Sequence, residues 1–393
     1  MATSIGIIII LGLLANYLFT AVKLPGILGM LLTGILIGPY GADWLRPELL
    51  RVSSDFRLIA LIIILLRAGL GLEKHKLKQV GRTAIKLSFV PGLIEGFTIA
   101  FFSMRFLGLG FIEGAILGFI IAAVSPAVVV PRMLQFSEKG IGDDKGIPTL
   151  ILAGSSVDDV FAVTMLTSFL AMYTAASVNV TGQIMTFFVS IFLGIAIGVL
   201  AGFLLVKSFS RFSMRDTKKV LYILGIGILI TAIEDLLSGT VQIAGLLGVM
   251  VAGFIIMEKT PQVAKRIAEK FGKVWIFAEI LLFVLIGAQV NIHLAWNAGL
   301  IGALIILAGL AGRSAGVVLS TAGTNLNAKE RLFCIIAYFP KATVQAAVGA
   351  IPLSMGMPEG DLILAIAVLS IIITAPSGAI GISWSSKFLL NRK

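Results

Sequence analysis

Apolar residues run in blocks along the entire chain, and short polar segments that carry most of the charges separate them. A bilayer's hydrocarbon core is about 30 Å thick and takes roughly 20 apolar residues per crossing helix. On that measure the blocks predict thirteen helices, over 4–22, 24–41, 54–72, 79–107, 111–134, 148–173, 182–206, 217–238, 241–257, 266–290, 295–322, 329–355 and 360–385. The ten-residue alternation of apolar and polar positions that a membrane β-barrel needs does not occur. The expected fold is an all-α polytopic membrane protein.

Composition agrees with the pattern. Of 393 residues, 58% are hydrophobic and only 13% charged, with a mean hydropathy of +1.05, whereas soluble domains carry about a quarter charged residues. The block 4–22 lacks a basic leader and runs into Lys23-Leu24-Pro25 without a small-residue cleavage pattern, so it reads as the first span. Cys334, the single cysteine, rules out an intrachain disulfide or a C-x-x-C site and reads as a small core residue.

The net charge of +11 raises the question of a nucleic-acid partner. The basic residues are spread over alternate loops without interleaved aromatics, so membrane topology explains them and no nucleic acid is expected. One set of loops holds Lys23, Lys74, Lys76, Lys78, Arg82, Lys86, Arg132, Lys139, Lys145, the run "VKSFSRFSMRDTKKV", Lys259 to Lys273, Lys387, Arg392 and Lys393. The other set has little beyond Arg46, Arg51, Arg57 and Arg105. The positive-inside rule then sets the amino terminus outside and the carboxyl terminus in the cytoplasm, with a cell (plasma or inner) membrane as the default location.

With thirteen spans, the first runs inward and the eighth outward. Spans 1–6 and 8–13 can therefore be repeats of opposite topology joined by span 7, an arrangement common in secondary transporters. Corresponding spans are interrupted in both halves: span 5 reads "AAVSPAVVVPRML", with Pro126 and Pro131, and span 12 reads "AYFPKATVQAAVGAIPL", with Pro340 and Pro352. A proline inside a helix removes a donor and frees a carbonyl, at about 3 kcal/mol. In lipid such a break survives only where it lines a cavity or is buried in protein, although plain proline kinks also occur in membrane helices.

The ionisable residues inside these blocks carry the chemistry. "AGSSVDDVFAV" puts Asp158 and Asp159 near the middle of span 6, where an acid costs at least about 2.5 to 3.5 kcal/mol and needs a partner or a function. A carboxylate there can take up a proton or a small cation but not both, and that competition is the chemistry of exchange. Ser155 and Ser156 precede the acids by three or four residues on overlapping helix faces and offer oxygen ligands to a hard cation. Carbonyls freed around Val124, Ser125 and Pro126 could complete such a dehydrated site, with one of the two aspartates holding the ion or the proton. As an alternative, the acids could serve as counter-charges to buried Arg or Lys.

Three further charges lie deep in the blocks: Glu95 in span 4, Arg313 in span 11 and Lys341 in the broken span 12. Spans 4 and 11 are counterparts under the repeat, which makes Glu95 and Arg313 candidates for a buried ion pair that holds helices together. Lys341 could neutralise the carbonyl ends of the split helices or pair with an aspartate of span 6. Arg67 is close enough to the cytoplasmic end of span 3 to snorkel. Glu279 could line a cytoplasmic funnel or face a partner helix. Glu234 and Asp235 lie near the outer mouth of span 8, where negative charge would concentrate cations, although a solvated helix end is the leading reading. His75 and His293 give no metal pattern.

These residues resemble the monovalent cation:proton antiporter superfamily over most of the chain. The matching stretches, in order, are "LPGILGMLLTGILIGP", "AAVSPAVVV", "AGSSVDDVFAV" and "FPKATVQAAVGAIP". The last two together look like the Asp-Asp sodium/proton antiporters that include the animal NHA-type exchangers. The resemblance implies that Asp159 binds ion and proton with Asp158 as the partner acid, that Arg313 is the basic residue of span 11, and that Glu95 pairs with it. It further implies a homodimer in which a core of 79–173 and 295–385 moves in an elevator-like step against a dimerisation part of 1–72 and 182–257, with 266–290 as the linking helix. Val124-Ser125-Pro126 stands where the family commonly has Thr-Asp-Pro, which removes an acid and a hydroxyl from the break.

The expected function is exchange of Na+ or Li+ for H+ with no cofactor and no enzymatic step. The partners are monovalent cations, protons and the lipid bilayer. A K+/H+ antiporter or a cation channel of the same fold are the alternatives. An intramembrane aspartyl protease also needs two acids in the bilayer, but its carboxyls share a water across about 3 Å. Neighbours on one helix point about 100° apart, and the Gly-x-Gly-Asp pattern of such proteases is missing.

Overall fold

A computed structural model of the protein describes residues 1–22, 24–174, 180–237 and 241–391, with the side chains of 180–184, 187 and 292–298 outside that description. Lys23, Arg392 and Lys393 of the positive-inside argument, and the side chain of His293, thus lie outside the described residues. The described residues form helices and no β-strand. In chain order these are α1 Ala2–Ala21, α2 Gly26–Ile37, α3 Pro47–Arg51, α4 Ser53–Gly71, α5 Lys74–Leu87, α6 Val90–Leu107, α7 Phe111–Ala122, α8 Pro126–Glu138 and α9 Ile147–Thr174. There follow α10 Val180–Arg211, α11 Asp216–Leu237, α12 Gly245–Lys259, α13 Pro261–Ala288, α14 Ile292–Thr321, α15 Ala328–Ala337, α16 Thr343–Val348, α17 Ile351–Ser354 and α18 Gly360–Leu389. Among the described residues nine helices, or helices running almost end to end, are long and apolar enough to cross a membrane, and Gly26–Ile37 and Thr343–Ser354 are apolar but shorter.

Where an expected span is discontinuous, the cause is local. The stretch 79–107 is two helices, because Phe89 leaves helical geometry (φ −142°) just ahead of Pro91, whose ring cannot donate to the carbonyl of Leu87. Ser88 closes α5 by returning its hydroxyl to the Ala84 carbonyl at 2.8 Å. The stretch 295–322 lies within α14 but is interrupted at Gly299, whose φ of 57° with ψ of −161° is open to glycine and strained for other residues. The stretch 329–355 divides into α15, α16 and α17. The start of α15 is fixed by a reciprocal cap: Asn327 accepts from the Glu330 N–H at 2.9 Å, and Glu330 accepts from the Asn327 N–H at 2.7 Å.

The helices sort by packing into two groups. In one, α6 lies against α7 and α14, α14 against α18, α9 against α5, α7 and α8, and α15 against α18. In the other, α4, α10, α12 and α13 pack together with α1 and α2 alongside. Backbones touch where glycines cross. A Cβ on Gly34 would strike the Val284 carbonyl oxygen, and one on Gly287 the Leu31 carbonyl oxygen, so α2 and α13 meet with nothing between them. The α6 and α7 crossing is close too: a Cβ on Gly118 would strike the Gly96 carbonyl oxygen, while the open face of Gly96 seats the Phe119 ring.

Both broken spans meet in the interior of the first group. Residues 123–125 are extended between α7 and α8, and residues 338–342 separate α15 from α16. The Ser125 N–H donates to the Pro340 carbonyl at 2.8 Å, joining the two breaks directly. Each break thereby supplies part of the backbone pairing that the other lost to its prolines.

Candidate ion-binding site

Helix α9 passes beside this crossing without interruption. A carboxylate at position 158 meets the free backbone of the first break, and the Val124 N–H donates to Asp158 Oδ2 at 2.9 Å. The carbonyls that end α7 are taken up by one side chain: the Gln345 amide donates to the oxygens of Ile120, Ile121 and Ala123 at 3.1, 3.2 and 2.9 Å. Lys341 Nζ adds a longer contact to the Ala122 oxygen at 3.4 Å, and the Lys341 N–H is held by Thr374 Oγ1 at 2.9 Å.

Four buried charges form one network. Arg313 Nε bonds Glu95 Oε2, and Arg313 Nη2 reaches Asp158 Oδ2 at 3.4 Å. Lys341 Nζ reaches Glu95 Oε2 at 2.7 Å. All four residues are inaccessible to solvent, and the Tyr338 ring lies 5.8 Å from the Arg313 guanidinium. Glu95 and Asp158 supply two negative charges and Arg313 and Lys341 two positive ones, so the network balances. Such balance is required, since a charge buried without a counter-charge costs several kcal/mol.

Asp159 stands outside that balance. It is half-buried and faces a cavity of about 470 Å³ bounded by Ser156, Thr164, Thr343 and the start of α12. Its Oδ1 accepts no hydrogen bond from the described residues, nor does the Thr343 hydroxyl donate one. The walls come from Leu61 and Leu65 of α4, the start of α8, the stretch 156–167 of α9, Ser190 of α10, Glu234 near the end of α11, the segment 242–246 and the length of α16. The cavity therefore opens away from the loops 139–146, 212–215 and 322–327, which mark the lysine-rich end. At that opposite end a separate cavity of about 540 Å³ is lined by Arg67, Arg132, Gln135, Glu138, Glu279 and Lys387, with Arg67 paired to Glu138 at 2.6 Å. Arg67 is thus bonded across to α8, and Glu279 lines a cavity.

The structure brings Asp158, Val124, Glu95, Arg313 and Lys341 together, and Asp159 with Ser156 and Pro126 onto one cavity. Lys341 pairs with Glu95 and a carbonyl end and makes no direct bond to an aspartate of α9. Ser156 donates to the Leu152 carbonyl at 2.8 Å while lining the cavity, whereas Ser155, fully buried and not among the cavity's described walls, reaches the same carbonyl at 3.4 Å. Ser125 is fully buried and its hydroxyl is unpaired among the described residues. The stretch "FPKATVQAAVGAIP" does not by its pattern mark Thr343 or Gln345 as site residues, and Tyr338 and Thr374 lie outside it. A glutamine three residues past a cavity-lining break was the available signal, because freed carbonyls need donors. Replacing Gln345 with Ala leaves three carbonyl oxygens unpaired, and each buried loss costs roughly 1 to 3 kcal/mol. Gln345→Ala is expected to lower Tm clearly in a thermal melt of the detergent-solubilised protein, and Gln345→Glu, which lacks the donor, should do the same.

Paired discontinuous helices crossing beside an acid that faces a one-sided cavity define the class of secondary transporters. Residues 6–386 match the family model described as sodium/hydrogen exchanger, transmembrane. The chain belongs to the sodium/hydrogen exchanger family, whose members are transporters and not enzymes, and cation/proton antiport is the activity this membership supports. It is 34% identical to sodium/hydrogen exchanger 9B2 of Homo sapiens over 95% of this chain and 71% of that one. Against sodium/hydrogen exchanger 9B1 of Homo sapiens it is 33% identical over 91% of this chain and 71% of the relative. The fold matches the sodium proton antiporter MjNhaP1 from Methanocaldococcus jannaschii with a TM-score of 0.79 at 21% identity, covering 98% of this chain and 97% of that structure.

Proposed function

We propose that this protein exchanges Na+ or Li+ for H+ across the cell membrane by alternating access, with Asp159 the group that holds either the cation or the proton. One observation carries the reading: of the three acids at the crossing, Glu95 and Asp158 are matched by Arg313 and Lys341, and Asp159 alone faces a cavity. No basic side chain lines the cavity beside it among the described residues, so a carboxylate so placed draws its direct counter-charge from solution. Ser156 and Thr343 offer oxygen to a hard cation beside it. Among the described residues the cavities at the two ends have no wall residue in common, which favours a carrier with one-sided access over a continuous pore.

On this reading the thirteen spans form inverted repeats, and 79–173 with 295–385 move as a core against 1–72 and 182–257, joined by 266–290. The protein works as a homodimer with its amino terminus outside, so that the Asp159 cavity faces the outside. The experiment is proton flux in proteoliposomes carrying an internal pH dye, driven by Na+, Li+ and K+ in turn. Added Na+ or Li+ should move protons the opposite way without an imposed voltage. Response to K+ alone would install a K+/H+ antiporter in its place. A cation current indifferent to the proton gradient would make the protein a channel and overturn the proposal.

A further inference from the structure

Of the two readings the sequence offers for Glu234, a solvated helix end and an acid that concentrates cations at the outer mouth, the structure favours the second. The side chain is half-buried, lies on the wall of the Asp159 cavity, and accepts from the Gly245 N–H at 3.2 Å. That bond seats the carboxylate at the first turn of α12, where backbone donors have no partner within the helix. Asp159 and Glu234 are the ionisable side chains of this cavity, and no basic side chain is among the walls described. They come from different packing groups: Asp159 from α9 on one wall, Glu234 from α11, which packs against α4, α12 and α13, on the other. Other polar side chains of the same walls include Thr164, Thr167, Gln242 and Thr343, all able to present oxygen.

A cleft lined by one sign of charge with apolar walls concentrates counter-ions and speeds their entry. Neutral donors or a single acid at the floor would serve proton transfer; a second acid at the mouth serves the cation. We propose that Glu234 is a recognition residue for the incoming monovalent cation, a first station at the outer mouth of the cavity from which the ion passes to Asp159. The inference rests on the exchange and the orientation proposed above. Glu234 also fastens α11 to α12 through Gly245, so the test has to separate charge from fastening.

Glu234→Gln does so, since an amide oxygen still accepts from the Gly245 N–H while the charge is gone. Exchange is measured in right-side-out and everted membrane vesicles from a host lacking its own exchangers, with Na+ added to the exposed face. Glu234→Gln should raise the half-saturating Na+ at the outer face roughly tenfold while changing that at the cytoplasmic face by less than about twofold. Glu234→Asp, which keeps the charge and withdraws it by one methylene, should lie between, and it is read in the same way if the glutamine variant does not reach the membrane. An unchanged outer half-saturation overturns the proposal. So does an equal rise at both faces, the mark of a merely structural role. An equal rise in Asp235→Asn, at the exposed neighbouring position, would assign the effect to surface charge and likewise overturn it. Failure of the unaltered protein to exchange at all would instead sink the functional reading.

Discussion

Asp159→Asn should abolish cation-driven proton flux while leaving the protein folded and at least as resistant to heat. Asparagine has no proton to release and no charge to offset a dehydrated cation, so both half-cycles stop. A buried ion without its counter-charge costs several kcal/mol, and since about 1.4 kcal/mol is a factor of ten in affinity, flux should fall by at least about 100-fold. Stability moves the other way, because an unpaired acid at mid-depth is an expense of roughly 2.5 to 3.5 kcal/mol that the variant no longer bears. Asp158→Asn reverses the pattern: it strips a counter-charge from Arg313 and an anionic acceptor from the Val124 N–H, so stability falls while some exchange survives. Dye-reported flux in proteoliposomes and thermal melts of both variants read the contrast. Undiminished exchange in Asp159→Asn, or a loss of stability equal to that of Asp158→Asn, would remove Asp159 from the role.

That contrast between two adjacent acids marks the boundary of what the chain discloses unaided. Hydropathy fixes how deep a residue lies but not which way round its helix it points. Asp158 and Asp159 are equally deep, and only the packing of α9 against the crossing turns one toward Arg313 and the other toward open space. The crossing was legible because Pro126 and Pro340 cannot sit inside continuous helix. Pro91 is the same chemistry at the start of α6, yet the run 79–107 is apolar enough to conceal the break at Phe89. The sequence leaves Glu234 between a solvated end and a cavity acid for a related reason: its distance along α11 puts it near the surface, and nothing local records that the start of α12 folds back over it. Gln345 escaped notice because its partners, the carbonyls of Ile120 to Ala123, are more than 200 residues away, so no sequence pattern joins them.

The second large effect belongs to the balanced network. Arg313→Leu leaves Glu95 and Asp158 facing Lys341 alone, an excess of one negative charge in a region closed to water. Glu95→Gln leaves an excess of one positive charge, as Arg313 and Lys341 then share Asp158. Removing one partner of a buried pair costs roughly 3 to 5 kcal/mol, so each single variant should accumulate poorly in the membrane and melt well below the unaltered protein. The double variant Glu95→Gln/Arg313→Leu restores neutrality, with Lys341 left to Asp158, and should recover much of the lost stability. Residues in one ion network depart from additivity by roughly 0.5 to 3 kcal/mol, and the sign is set here by the charge count: the double should be more stable than the two losses summed. Thermal melts of the four proteins give that cycle directly. Strict additivity would mean that Glu95 and Arg313 stabilise the fold through separate contacts, and the view of Asp159 as the one acid outside a closed account would lose its footing.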